Sequence, residues 1–144
     1  MLVRLVYASR AARSGANASP ASVDAILEQS RRKNPQAGIT GILCDSGELF
    51  IQVLEGGRDE VCELYNTIAR DPRHERVRIL AYEEIQERRF GGWTMGHVNI
   101  DKVNPALLLK YAERPTLDPF TQSGRASLAL LEELIATGAV SSRA

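Results

Sequence analysis

The sequence of 144 residues predicts one α+β unit. We expect a ferredoxin-like, five-stranded mixed sheet with two helices on one face, followed by two C-terminal helices. The first reason is the order of strand-like and helix-like apolar patterns, which is β-α-β-β-α-β-β. The second is the turn at residues 45–47 (DSG), which joins two β-forming stretches as in a hairpin. The third is residues 48–56 (ELFIQVLEG), whose two faces are both apolar, as in a strand covered on both sides.

The boundaries of the elements follow from local signals. The predicted strands are residues 2–9, 38–44, 48–56, 76–85 and 93–100. The first helix begins near Ser19, which can cap it, and Pro20 suits its first turn. One face of this helix carries four residues spaced for burial: Val23, Ile26, Leu27 and Ser30. Because Pro35 disfavours a helical conformation at the preceding residue, the helix is predicted to end at Asn34.

Charged residues mark the ends of the two helices expected on the sheet. Asp59 and Glu60 suit the start of a second helix over residues 59–70, because acidic side chains are favourable near a helix N-terminus. The basic residues 31–33 lie in the last turn of the first helix, where positive charge is favourable. We interpret these three residues as a solvated face.

The C-terminal part of the chain differs in character. Asn104 and Pro105 predict the start of a short helix, and an amphipathic helix over 125–137 follows. The apolar stripe of the latter is broader than packing on a sheet requires, so we expect an apolar strip to remain for association. The alternative is that the two helices only cap the sheet. Residues 1–99 are interpreted as one domain, and residues 100–144 as a helical appendage packed on the sheet within the same unit.

Composition excludes several classes of function. Lysine plus arginine and aspartate plus glutamate both number 18, so no net charge attracts nucleic acid or an anionic membrane. No apolar run approaches the roughly 20 residues of a membrane span, and no signal peptide is recognised. Cys44 and Cys62 show no metal-binding or redox spacing. We therefore expect a cytoplasmic protein that binds no nucleic acid, no membrane and no metal.

Several polar residues fall where the core is expected. Gln52 lies in the middle of the central strand, and a buried amide without partners costs about 1–3 kcal/mol. Tyr7 ends the first strand, and Asn34 lies at the exit of the first helix. Trp93 and Met95 are expected to share one face of the fifth strand. Together these residues predict a pocket with polar edges between the sheet and a helix.

Five stretches of the chain resemble those of a known family. The matching stretches are LVYASRA (5–11), NPQAGITGIL (34–43), FIQVLEGG (50–57), DPRH (71–74) and FGGWTM (90–95). In this order, over residues 2–98, they resemble the BLUF domain, a flavin-binding sensor of blue light. The resemblance implies a short photoreceptor with FAD as its cofactor, although FMN or riboflavin can replace FAD in recombinant material.

The resemblance also implies roles for individual residues. Ile26 and Ile68 pack on the faces of the flavin ring. Ser30, on the buried face of the first helix, is assigned to the site and is expected to bond the indole of Trp93. Asn34 bonds the C4 carbonyl side, and Arg73 and Lys33 the C2 carbonyl side. Asp71 and His74 complete the matched motif with less defined roles. Lys33 departs from the Asn or His that the family often has, which weakens its assignment as a flavin contact.

A light-driven mechanism follows from the same resemblance. Excited flavin takes an electron and a proton from Tyr7, with Gln52 as the relay, and no net redox change remains. Gln52 is left rotated or tautomerised, with a new bond to the C4 carbonyl that shifts absorption to the red. Trp93 and Met95 are expected to pass this change through the fifth strand to the C-terminal helices. We expect no enzymatic activity, an unidentified downstream protein partner and a homo-oligomer.

Other functions are less well supported. A small phosphate-binding hydrolase on the same fold would use Arg10 and Asn34, but the residues after the first strand contain no glycine-rich anion loop. RNA binding through the sheet would require several stacked aromatic residues and basic flanks. A photoreceptor with a cysteinyl adduct would require a thiol above the ring, and neither Cys44 nor Cys62 lies in such a motif.

Overall fold

The computed structural model describes residues 1–12, 21–46 and 48–140. The strands and helices are β1 (Leu2–Ala11), α1 (Ala21–Ala37), β2 (Thr40–Asp45), β3 (Leu49–Gly57), α2 (Arg58–Arg70), β4 (His74–Ile85), β5 (Gly96–Asn99), α3 (Pro105–Tyr111) and α4 (Gly124–Ala136). A short 3-10 turn, Ile100–Lys102, links β5 to α3. The predicted cap Ser19, the first-turn Pro20, the turn residue Gly47 and the side chain of Val23 lie outside what is described.

The five strands form one mixed sheet in the order β4-β1-β3-β2-β5. Neighbouring strands are antiparallel except β2 and β5, which are parallel. The predicted element order and the α+β, ferredoxin-like class are confirmed. Because β3 lies at the centre of the sheet, its residues are shielded by strands on both sides, and from Phe50 to Gly56 all of them are buried.

The sheet is covered on both faces, as the apolar pattern of β3 predicts. One face packs against α1 and α2 and includes Leu5, Tyr7 and Leu54. The other face packs against α3 and α4 and includes Val6 and Val53. Consecutive residues such as Val53 and Leu54 join different clusters because successive side chains of a strand point to opposite faces.

Helix α1 continues past the predicted end at Asn34 and includes Pro35. The prediction was wrong because Pro35 is tolerated in the last turn of α1. There its missing N–H removes a single backbone hydrogen bond, and the helix ends two residues later. Gly38, with φ of 70°, adopts the left-handed conformation that closes the helix. Its N–H donates to the Pro35 carbonyl (3.2 Å), and the Ile39 N–H donates to the Asn34 carbonyl (2.9 Å). These two bonds form a Schellman motif.

The fifth strand begins at Gly96, three residues later than predicted. Trp93 and Met95 precede it and do not share one face. Met95 is fully buried among residues that pack against α1 and α2, whereas Trp93 packs against the cluster on the α4 side. The two-residue period that placed them together applies only to extended strands, and this segment turns before the strand begins.

Helix α4 uses its apolar stripe within the chain. Leu130, Leu131 and Leu134 are buried, and Leu128 and Ile135 are partly buried against the same cluster. The expectation of a spare apolar strip on this helix is wrong, since none of its described large apolar residues is exposed. Helix α4 lies very close to β4, since a Cβ added to Gly124 would lie 2.3 Å from the Leu80 carbonyl oxygen of that strand. No helix in the described ranges is long and apolar enough to cross a membrane.

We expect Gly124→Ala to destabilise the fold by about 1–3 kcal/mol, because the added methyl group overlaps the β4 backbone. Helix propensity alone predicts the opposite sign, a gain of up to about 1 kcal/mol. Urea unfolding followed by circular dichroism measures the difference. Gly91→Ala is the matched control, because its added Cβ would come no closer than 3.4 Å to the side chain of Arg88. Equal stability of the two variants would show that α4 is not held against β4.

Candidate functional site

A buried hydrogen-bonded pair lies at the centre of the sheet. The register of β1 and β3 places Tyr7 directly opposite Gln52. The Tyr7 hydroxyl donates to Gln52 Oε1, and Gln52 Nε2 donates to the sulfur of Met95 at 3.2 Å. All three side chains are buried. The amide that is unexpected in an apolar strand therefore bonds to a phenol on one side and a thioether on the other.

The surroundings of Tyr7 keep its hydroxyl protonated. Burial raises the pKa of Tyr7 far above its ordinary value, and electrostatic interactions with Tyr65 and Asp71 raise it further. The Tyr65 ring lies edge-on to the Tyr7 ring, with centroids 5.9 Å apart. The phenol therefore remains a hydrogen-bond donor to Gln52 at any ordinary pH.

A cleft opens beside this pair, between α1 and α2. All ten residues predicted to contact a cofactor line it: Tyr7, Ile26, Ser30, Lys33, Asn34, Gln52, Ile68, Asp71, Arg73 and His74. Helix α1 contributes Ile26, Ser30 and Asn34, which are spaced by four residues and so follow one side of the helix. The cleft has apolar walls and polar groups at its edges, and the role of each residue toward a ligand stays a prediction.

The structure adds three lining residues that were not assigned to the site from the sequence: Gln29, Leu64 and Thr67. Gln29 lies three residues after Ile26 and four before Lys33, so extending the helical spacing from Ile26 would have found it. Leu64 and Thr67 precede Ile68 on α2 by four residues and one. The pattern of either helix alone did not show which faces of α1 and α2 are opposed across the cleft.

An arginine is held at the edge of the cleft. The Arg73 guanidinium donates to both carboxylate oxygens of Asp71, at 2.6 to 3.1 Å, and to Gln29 Oε1 at 2.9 Å. Burial by itself raises the pKa of Asp71, but the hydrogen bonds and charge of Arg73 outweigh it, and the pKa is lowered. Arg73 is thus fixed between α1 and the start of β4 by two side chains.

Asn34 provides evidence that the cleft accepts a polar ligand. Its side chain is buried, and Nδ2 has no hydrogen-bond partner among the described residues. A buried donor without a partner is costly, so an acceptor in the cleft would satisfy it. Lys33 is exposed at the cleft edge. Arg10, which the hydrolase alternative requires beside Asn34, does not line the cleft.

The cleft is narrow. Its volume is about 60 Å³, below the several hundred Å³ typical of pockets for small-molecule ligands. The residues present, with apolar side chains on the walls and polar groups at the edge, fit a flat ring with acceptor groups. In residues 1–12, 21–46 and 48–140, no three His, Cys, Asp or Glu side chains are grouped to hold a metal ion.

Comparison with known proteins identifies the family of the chain. The family model for BLUF, sensors of blue light using FAD, matches residues 2–96. The chain belongs to the BLUF family. The β subunit of a photoactivated adenylate cyclase from Euglena gracilis is 39% identical over 95 residues, which is 65% of this chain and 11% of the Euglena protein. The chain therefore spans about a ninth of that relative, which contains much that has no counterpart here.

Two solved BLUF structures match nearly the whole chain. The dark-state structure of BlrB, a BLUF protein, is 35% identical, with a TM-score of 0.76, and the match covers 95% of this chain and 96% of that one. The photo-activated state of BlsA is 28% identical, with a TM-score of 0.83, covering 100% and 99%. These matches extend over the C-terminal helices as well as the BLUF sheet.

His74 lies beneath the cleft in a largely buried position. Its Nδ1 is 2.9 Å from the Ser9 hydroxyl oxygen, and its ring contacts Phe50 edge-on, with centroids 5.3 Å apart. Burial lowers the pKa of His74 to about 4; the nearby Asp71 opposes this shift, and Arg73 adds to it. The imidazole is therefore neutral at physiological pH.

The low pKa of His74 predicts a pH-dependent stability. From pH 6.5, its ordinary pKa, down to about 4, the unfolded chain binds a proton that the folded chain does not. The free energy of unfolding therefore falls as pH falls through this window, by up to roughly 3 kcal/mol. Urea unfolding between pH 4 and 7 measures this decline.

The two histidine variants separate this effect from general acid sensitivity. His74→Gln is expected to flatten the decline, whereas His97→Gln, which removes the chain's other histidine, retains it. A decline of the same size in His74→Gln and in the unaltered chain would contradict the assignment.

Proposed function

We propose that this BLUF chain is a blue-light switch with FAD in the cleft between α1 and α2 and with the Tyr7–Gln52 pair as its photoactive element. The observation that carries the proposal is a buried phenol bonded to a buried amide in a cleft that also contains the unpartnered Asn34 donor. Ile26 and Ile68 would lie against the ring faces, and Asn34 and Arg73 would donate to its carbonyl edge.

Tyr7 and Gln52 suit a transfer of an electron and a proton that is afterwards reversed. A bound flavin supplies a chromophore that absorbs blue light and accepts an electron when excited. Tyr7 is the donor of an electron and, through its hydrogen bond, of a proton. Gln52 carries both donor and acceptor groups on one amide, so it can pass a proton and then exchange its own partners. After the charges recombine, Tyr7 is restored, and the changed bonds of Gln52 remain as the signal.

The signal is proposed to leave through β5. Met95 touches Gln52 and immediately precedes β5, which continues through the 3-10 turn into α3. We propose that light alters the C-terminal helices, that the output is contact with an unidentified protein in the cytoplasm, and that the chain itself is not an enzyme. A homo-oligomer is also proposed; the apolar stripe of α4 is not proposed as its surface, because those residues pack against the sheet.

The first test is spectroscopic. Protein purified in the dark with FAD added is expected to show the spectrum of oxidised flavin, which shifts reversibly to the red under blue light. Protein that is stripped of flavin and illuminated is the control. A flavin-loaded sample whose absorption does not change would refute the proposed switch, and a sample that binds no flavin would refute the proposed site.

The second test concerns the pair. Tyr7→Phe removes the hydroxyl, and Gln52→Leu removes the amide at similar volume, so each is expected to bind flavin yet lose the red shift. Tyr65→Phe is the matched control, because it removes the hydroxyl of the tyrosine that lies beside Tyr7. The red shift and its recovery are expected to persist there. A normal shift in Tyr7→Phe or Gln52→Leu would contradict the mechanism.

A further inference from the structure

The segment before β5 is held at two points of its backbone. The Trp93 carbonyl accepts a hydrogen bond from the Gly41 N–H of β2 at 2.9 Å. Two residues later, the Met95 carbonyl accepts a bond from Nε of Arg31, at 3.0 Å. Arg31 belongs to α1, so this bond connects the helix beside the cleft directly to the residue whose sulfur contacts Gln52.

Arg31 differs from its basic neighbours. Residues 31–33 were interpreted together as a solvated face, but Arg31 is only partly exposed, while Arg32 and Lys33 are exposed. Leu27 and Asn34, four residues before and three after it, are both buried. Arg31 therefore lies on the side of α1 that faces the sheet, and its stem follows that side toward β5. The interpretation as a solvated face is wrong for this residue.

The hydrogen bond from Arg31 to the Met95 carbonyl bears on the Met95 side chain, which contacts Gln52. Met95 has a long, unbranched side chain that adapts readily to its surroundings, so its location depends on where its backbone is held. A hydrogen bond from a charged donor is stronger than one between neutral groups. The sulfur of Met95 then meets Gln52 Nε2 at 3.2 Å, and Trp93 packs on the opposite side of the sheet.

We propose that Arg31 is a positioning residue that holds Met95 against Gln52 and so fixes the partner of the amide in the dark. Arg31 holds Met95 in this way in the unilluminated protein, whether or not a photocycle follows. Its kinetic consequence rests on the proposed function: if Gln52 exchanges partners under light, Arg31 favours the return of Met95 to its dark position.

The two methionines of the chain allow a direct test. Met1 is 73% exposed and Met95 is fully buried, so ¹³C-methyl labelling gives one resonance from each environment. In Arg31→Ala, the Met95 resonance is expected to move toward that of Met1 or to broaden. Arg31→Lys should restore part of the original position, because its ammonium can still donate. Arg32→Ala is the matched control and should leave the resonance unchanged.

Illumination provides a second readout. Flavin-loaded Arg31→Ala is expected to recover in the dark about tenfold more slowly, a factor that corresponds to about 1.4 kcal/mol, while Arg32→Ala recovers normally. An unshifted Met95 resonance in Arg31→Ala, an equal shift in Arg32→Ala, or unchanged or faster recovery would overturn the proposal. Absence of any photocycle in the unaltered protein would refute the proposed function, but the resonance would still decide whether Arg31 positions Met95.

Discussion

The need to satisfy a buried amide organises this structure. Gln52 lies on the central strand of a sheet that is covered by helices on both faces, and its side chain is buried. Its partners come from two different parts of the chain: Tyr7 from β1 and Met95 from the segment before β5. An amide in such a place is stable only if both ends find partners. The same requirement makes Gln52 sensitive to its neighbours, because a change at Tyr7 or Met95 forces the other hydrogen bond of the amide to adjust.

Three residues further along β3, a buried carboxylate holds the segment that leads to Met95. Glu55 is bonded to Arg4 at 2.8 Å and accepts from the backbone N–H groups of Arg89 (3.1 Å) and Phe90 (2.7 Å). Removing an ion pair from water is costly, and such pairs persist where several hydrogen bonds compensate for the loss. The strand that carries the amide therefore also anchors, through Glu55, the loop that delivers its sulfur partner.

Helix α1 joins the cleft to this loop. Through Gln29 it contacts Arg73 at the entrance to β4, and through Arg31 it contacts the Met95 backbone. Ser30, between these two residues, lines the cleft, and so does Asn34 one turn further along the helix. Both contacts therefore belong to the helix that forms one wall of the cleft.

The element order, the double cover of β3 and ten of the residues that line the cleft could be predicted from the sequence. These depend on local periodicity and on motifs whose residues keep fixed spacings, so they can be recognised without knowing the neighbours. Gln52 could also be recognised from the sequence, because a polar side chain in the middle of an apolar strand needs hydrogen-bond partners that its neighbours in the strand do not offer. The continuation of α1 past Pro35 was missed because a proline was expected to end the helix, whereas Pro35 lies in the last turn, which the Gly38 and Ile39 N–H groups close.

Which partners these residues have depends on how the elements pack together. The register of β1 against β3 puts Tyr7 opposite Gln52, and a shift of one residue would turn one of them to the other face. The turn before β5 sends Met95 and Trp93 to opposite sides, although their spacing of two suggested one face. Arg31 looked like its exposed neighbours because the carbonyl that it binds is 64 residues away in the chain. Contacts of this kind depend on how separate elements pack, which local sequence patterns do not encode.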